Sequence, residues 1–160
     1  MNFDVMTLTG SHTVLSLVAL GAGIIVILGM ASARDLPGWA ALFLATAVAT
    51  SATGFLFPVA GILPSHIFGV VSLVALAAAM LGRYRHGFAG RWRITYVLCV
   101  VLATWLDAFV AVVQVFLKVP AATALAPTQA DPPFAIAQGI TLVVFVVLAV
   151  LAARRFRPAG

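Results

Sequence analysis

The chain has 160 residues, of which 64% are hydrophobic and 8% charged, with a mean hydropathy of +1.19. Soluble domains are about 45–50% apolar and about 25% charged, so nine Lys or Arg and four Asp are too few to coat a water-exposed globule of this length. The net charge of +5 would suggest nucleic acid in a soluble protein. Here, however, the arginines stand at the ends of apolar runs, which points to topology signals and anionic lipid headgroups and argues against nucleic acid.

A helical span needs about 20 mostly apolar residues to cross a hydrocarbon layer of about 30 Å. Five runs meet that need or come close to it. They predict one all-α domain over residues 1–160, a polytopic membrane helical bundle of five transmembrane helices. The N-terminal Met1–Asp4 has no Lys or Arg, so no cleavable signal peptide is expected. The first span is predicted over Val14–Ala33, capped by Ser11. The turn Arg34-Asp-Leu-Pro-Gly38 leads into a second span over Trp39–Phe57.

An uncharged connection, Pro58–Pro64, precedes the third span over Ser65–Gly82. Spans two and three suit either a re-entrant hairpin or two crossings. Nineteen residues reach about 28 Å, which favours crossings. A loop rich in Arg and aromatic residues, Arg83–Arg93, leads into the longest span, Ile94–Lys118. The stretch Val119–Pro133 holds four prolines and reads as a stiff outer connector. Pro132-Pro133 then opens the fifth span, Phe134–Ala153.

Charge sets the expected orientation. Five crossings put Arg34, Arg83, Arg85, Arg91, Arg93, Arg154, Arg155 and Arg157 on one side and only Lys118 on the other. Basic residues concentrate on the cytoplasmic side of membrane proteins. The N-terminus is therefore expected outside and the C-terminus in the cytoplasm. Arg83, Arg85, Arg91, Arg93 and Trp92 are the expected headgroup contacts.

Asp107 is the strongest chemical signal, because it lies 14 residues after Arg93 and 11 before Lys118, near mid-membrane. A carboxylate there costs about 2.5–3.5 kcal/mol on insertion scales, so it must face protein or water, be paired, or carry a proton. Tyr96, Val100, Thr104, Asp107, Ala111, Gln114 and Lys118 follow one another at steps of three and four, a single helical stripe expected to face the bundle interior. His66 stands at the outer start of span three and His12 at that of span one. The face Thr46, Thr50 and Thr53 of span two and Gln138 of span five add polar groups to the same outer half. Asp107, His66, Gln114, Thr53, Thr104 and Gln138 are the candidate ligand or ion site. A purely structural role, interhelical hydrogen bonds that fix packing, accounts for the same residues.

His12 with His66 also suits axial ligation of a b-type haem or a metal ion. Cys99 is the single cysteine and sits in an apolar run, so no internal disulfide forms. Phe55, Phe57, Phe68, Phe116 and Phe3 fall toward the outer side as an aromatic belt would. Small residues, Ala19 and Gly23 on span one and Gly69, Ser72, Ala75 and Ala79 on span three, predict close helix packing within or between chains. No nucleophile–base spacing, phosphate loop or His-Glu-x-x-His is present, so no enzyme and no resident cofactor are expected.

The blocks Thr53-Gly-Phe-Leu-Phe-Pro58, Leu63-Pro-Ser-His66, Gln114-Val-Phe-Leu-Lys-Val-Pro120 and Leu125–Phe134 resemble a family of small proteobacterial inner-membrane proteins to which no activity is assigned. The resemblance implies a bacterial inner membrane and brings no catalytic residues. Three function classes stand on these residues. One is a membrane protein that binds a small ligand or ion in its outer half or acts as a subunit of a homo-oligomer or larger membrane assembly. The second is electron transfer with haem or quinone. The third is proton-coupled transport through Asp107.

Overall fold

A computed structural model describes residues 7–57 and 64–158. Met1–Asp4 and most of the Pro58–Pro64 connection lie outside the described residues. All regular elements among those residues are helical.

The first helix, α1, covers Leu8–Ala31. Its cap is Thr7, whose hydroxyl accepts from the Gly10 N–H at 3.0 Å. The expected cap, Ser11, instead sits inside the first turn and donates back to the Thr7 and Leu8 carbonyls. The helix thus begins six residues before the apolar run, because a Ser or Thr hydroxyl inside a helix satisfies itself on a preceding carbonyl. At its far end the Arg34 N–H bonds the Gly29 carbonyl at 2.9 Å, and Ala33 takes the left-handed conformation that closes such ends.

Pro37 opens α2, Pro37–Gly54, at the position where a missing N–H costs nothing. The third helix, α3, runs over Pro64–Met80 and widens into a π-helical turn over Leu81–Arg85, three residues beyond the expected end. Gly82 permits this approach: a Cβ there would lie 3.1 Å from the Trp92 carbonyl. The long helix α4 covers Trp92–Lys118. The proline-rich connector contains a short helix, α5, Pro120–Leu125, where a stiff loop is expected from sequence. The Thr123 hydroxyl holds it by donating to the Phe116 carbonyl at 2.7 Å. Last comes α6, Pro132–Arg155.

The α1–α4 pair is central. On one flank, α2 and α3 complete a four-helix group with that pair, and on the other flank α6 packs against both. Ile27, Met30, Phe43, Leu76, Val97 and Val100 form a close-packed core in the half nearest the arginines. Outward, Leu17, Val74, Ile136, Ile140, Val143 and Val147 are exposed. Water would not support so many bare aliphatic side chains, whereas hydrocarbon is their natural solvent.

Among the described residues four helices are long and apolar enough to cross a membrane: Leu8–Ala31, His66–Arg85, Trp92–Lys118 and Pro132–Arg155. At 18 residues, with Thr46, Thr50, Ser51 and Thr53 among them, α2 is not one of these. Its ends are nonetheless fixed at both levels of the bundle. Asp35, just before α2, meets Arg83 at the end of α3, and Thr53 meets His12 near the start of α1.

The arginine-rich end is tied internally. Arg83 forms a bidentate pair with Asp35 at 2.8 and 3.1 Å. Its side chain is only 8% exposed, and its guanidinium also lies 5.4 Å from the Phe88 ring centre and 5.8 Å from that of Tyr96. The Arg93 guanidinium donates to the Ala153 and Phe156 carbonyls, satisfying the end of α6. Trp92 stacks on His86 with ring centres 4.0 Å apart. Among the predicted headgroup residues, Arg83 and Arg93 are therefore engaged within the chain, while Arg85 and Arg91 are exposed.

Arg83→Met is expected to destabilise the bundle by about 2 kcal/mol, because it leaves the Asp35 carboxylate unpaired and removes the cation from the rings. Adding Asp35→Leu should restore about half of that loss. A double-mutant cycle of unfolding midpoints in detergent checks this, with additive single effects as the contrary result.

Candidate functional site

In the half away from the arginines the four helices α1–α4 do not close on one another. They leave a cleft of about 140 Å³. Small residues make the opening: Ala47 and Gly54 on α2, Gly69 on α3 and Ala103 on α4 all line it. Phe55 lies against Gly69, where a Cβ would come within 3.0 Å of the ring. Inward, toward the arginine-rich end, the buried side chains of Phe43, Leu44, Leu76 and Val100 fill the bundle.

The lining is unusually polar for a membrane interior. His12 and Ser16 come from α1, one turn apart; Thr50 and Ser51 from α2; His66 and Ser72 from α3; Asp107 from α4. The His12 Nδ1 lies 2.9 Å from the Thr53 hydroxyl. That hydroxyl is donated to the Ala49 carbonyl at 2.8 Å. His12 Nδ1 and the Thr53 hydroxyl thus share one hydrogen bond between α1 and α2, with the donor set by the imidazole tautomer. The edge of the Phe57 ring stands against the same imidazole, with centres 5.2 Å apart. Ser51 donates to Ser72 across α2 and α3 at 3.2 Å. His66 packs beside Phe55, ring centres 5.6 Å apart.

Two cleft groups stand out by what they lack. The Thr50 hydroxyl is buried and has no hydrogen-bond partner among the described residues. Among the described residues, the Asp107 carboxylate likewise has neither an ion-pair nor a hydrogen-bond partner. The half-buried Asp107 carboxylate therefore opens onto the cleft beside the buried Thr50 hydroxyl, where a solute or water can complete the bonding of both.

The candidates read from sequence divide into three sets. Asp107, His66 and His12 meet in the cleft, with Thr50 on its wall and Thr53 behind His12. Thr104 shares the stripe of Asp107 but packs against Gly23 of α1, fully buried, its hydroxyl on the Val100 carbonyl at 2.8 Å. Gln138 serves the other flank, donating from Nε2 to the Phe109 carbonyl at 3.1 Å. Gln114 is exposed, one turn and more beyond the cleft, and Thr46 donates back to Leu42. The stripe on α4 is thus interior at Tyr96, Val100 and Thr104, opens on the cleft at Asp107 and is outside by Gln114 and Lys118.

Ser16, Ser51 and Ser72 are cleft residues that the sequence does not single out as polar sites. The available signal is helical spacing: Ser16 lies four residues after His12, and Ser72 lies on the His66, Gly69 face at steps of three. Ser72, Ala75 and Ala79 also do what small residues were expected to do, since all three are buried.

Among the described residues no three His, Cys, Asp or Glu side chains are close enough to hold a metal ion. The cleft is about the size of a cavity that takes benzene. A haem macrocycle is several times larger than this volume, and His12 and His66 both line it. Compared with known protein families, curated proteins and solved structures, the chain shows no match.

Proposed function

We propose that this is a bacterial inner-membrane protein of five crossings that binds a small polar solute, without catalysis, in a cleft open to the outer face. The observation that carries the reading is the unpartnered Asp107 carboxylate on the wall of a cavity formed by four helices. A mid-helix carboxylate that only fixed packing would hold an interhelical partner. Asp107 faces a space sized for a solute instead.

The fifth crossing is supported by the placement of α2. Its two ends meet Arg83 and His12, at opposite ends of the bundle, so it traverses the same thickness as α3. Its low apolarity follows from Thr50 and Ser51 turning toward the cleft. The orientation is supported by the exposed Arg34, Arg85, Arg91, Arg154 and Arg157 at the end opposite the cleft. The same arginines suit anionic headgroups of the inner leaflet.

A water-soluble carbodiimide with glycine methyl ester as the amine, added to the outer side of vesicles, tests the cleft directly, since the activated carboxyl forms a stable amide adduct with the amine and releases the urea. Mass analysis of the Asp107 peptide is expected to show the adduct, absent in Asp107→Asn. An unmodified Asp107 alongside a modified Asp131 would sink the reading.

A further inference from the structure

We propose that the cleft selects a small organic monocation: an ammonium on a ring or chain of about six to eight heavy atoms, its charge on Asp107 and its apolar part against Phe55 and Phe68. This rests on the reading of the cleft as a solute site and adds the class of solute.

Charge is the first ground. Among the described residues the cleft lining holds one carboxylate, two imidazoles and no Lys or Arg. Arg83 and Arg93 are engaged at the far end of the bundle, and the other arginines lie there too, beyond the closed core. Lys118 is exposed at the outer end of α4, eleven residues from Asp107 and outside the lining. Beside a neutral solute Asp107 sheds its charge by taking a proton, and an anion would repel the charged form, whereas a bound cation pairs with the carboxylate and keeps it ionised. His12 Nδ1 does not reach the carboxylate, because it is engaged with the Thr53 hydroxyl.

Shape is the second ground. About 140 Å³ suits a solute, or the inserted end of one, near the size of benzene. Phe55 and Phe68 supply ring surfaces that attract both an alkyl or aryl group and the ammonium beside it. A bare metal ion is a poorer fit, since no three metal-ligating side chains converge among the described residues. The Thr50 and Ser72 hydroxyls add acceptors for the remaining ammonium protons.

Three probes share one ring and differ in charge: benzylammonium, benzyl alcohol and benzoate. They are titrated against the full chain in lipid nanodiscs by isothermal calorimetry at neutral pH. Benzylammonium is expected to bind at least about tenfold more tightly than benzyl alcohol, and benzoate not measurably. Asp107→Asn should erase the difference between amine and alcohol, and Asp107→Glu should keep the amine preference. Equal binding of amine and alcohol, or a preference for benzoate, overturns the monocation class. So does failure of all three probes while the carbodiimide still reaches Asp107, and that result spares the cleft. Failure of the carbodiimide removes cleft and monocation together.

Discussion

Gly23→Leu is expected to prevent recovery of a folded bundle. A Cβ at this position would sit 2.5 Å from the Thr104 hydroxyl oxygen, 2.7 Å from its methyl and 2.9 Å from the Phe43 ring. None of these can retreat, because Thr104 is 0% and Phe43 1% exposed. Even Gly23→Ala should cost about 1–3 kcal/mol, the usual range for overpacking. Pairing it with Thr104→Ala removes the two nearest atoms, and so should restore part of the loss; the Phe43 contact remains. Gly21 is the internal control. Nothing lies within 4 Å of a Cβ there, so Gly21→Ala should be neutral or stabilise by about 0.5–1 kcal/mol through helix propensity. Monodisperse protein after heating in detergent is the readout. Equal behaviour of the alanine variants at 21 and 23 would show that α1 and α4 do not meet as described.

Phe156→Ala is the second large effect, with an expected loss of about 3–5 kcal/mol. Phe156 follows the last turn of α6, where a chain would ordinarily drift into solvent, yet it is fully buried. Its ring meets Phe88 edge-on with centres 5.4 Å apart and lies 5.9 Å from Tyr96. Its carbonyl accepts from Arg93 at 2.7 Å. The residue therefore fastens α6 to the start of α4. Phe156→Leu keeps most of the buried area and should lose much less. Denaturation midpoints separate the two variants. An alanine variant as stable as the leucine one would mean that the tail is not docked.

Much of the architecture is legible in the chain because lipid imposes a simple rule: long apolar stretches must be helices. The boundaries were harder, and the reasons are local. Thr7 rather than Ser11 caps α1, since either hydroxyl suits the position by type and only geometry decides. The π-helical turn after Met80 has no periodic signature; it depends on Gly82 meeting the Trp92 carbonyl. The helix Pro120–Leu125 hides among prolines because its first residue needs no N–H.

The cleft was legible only in part. Asp107 declares itself by being charged where charge is costly. Its stripe neighbours Thr104 and Gln114 follow the same spacing, but one packs against Gly23 and the other lies beyond the outer rim. Periodicity gives direction around a helix, not whether a neighbour fills or leaves the space in front of it. That depends on residues far apart in sequence, here Ala47, Gly54, Gly69 and Ala103.

The account makes the bundle open at one end and closed at the other, and sided labelling of single cysteines tests that most directly. In a Cys99→Ala background, cysteines are placed at Thr50 on the cleft wall, Leu76 in the closed core and Arg85 at the arginine-rich end. A charged thiol reagent that does not cross lipid is applied to one face of sealed vesicles at a time. The cysteine at 85 should react only from the cytoplasmic face, the one at 50 only from the outer face, and the one at 76 from neither. Reaction of the cysteine at 50 from the same face as the one at 85, or from neither face, would contradict an outward-open cleft.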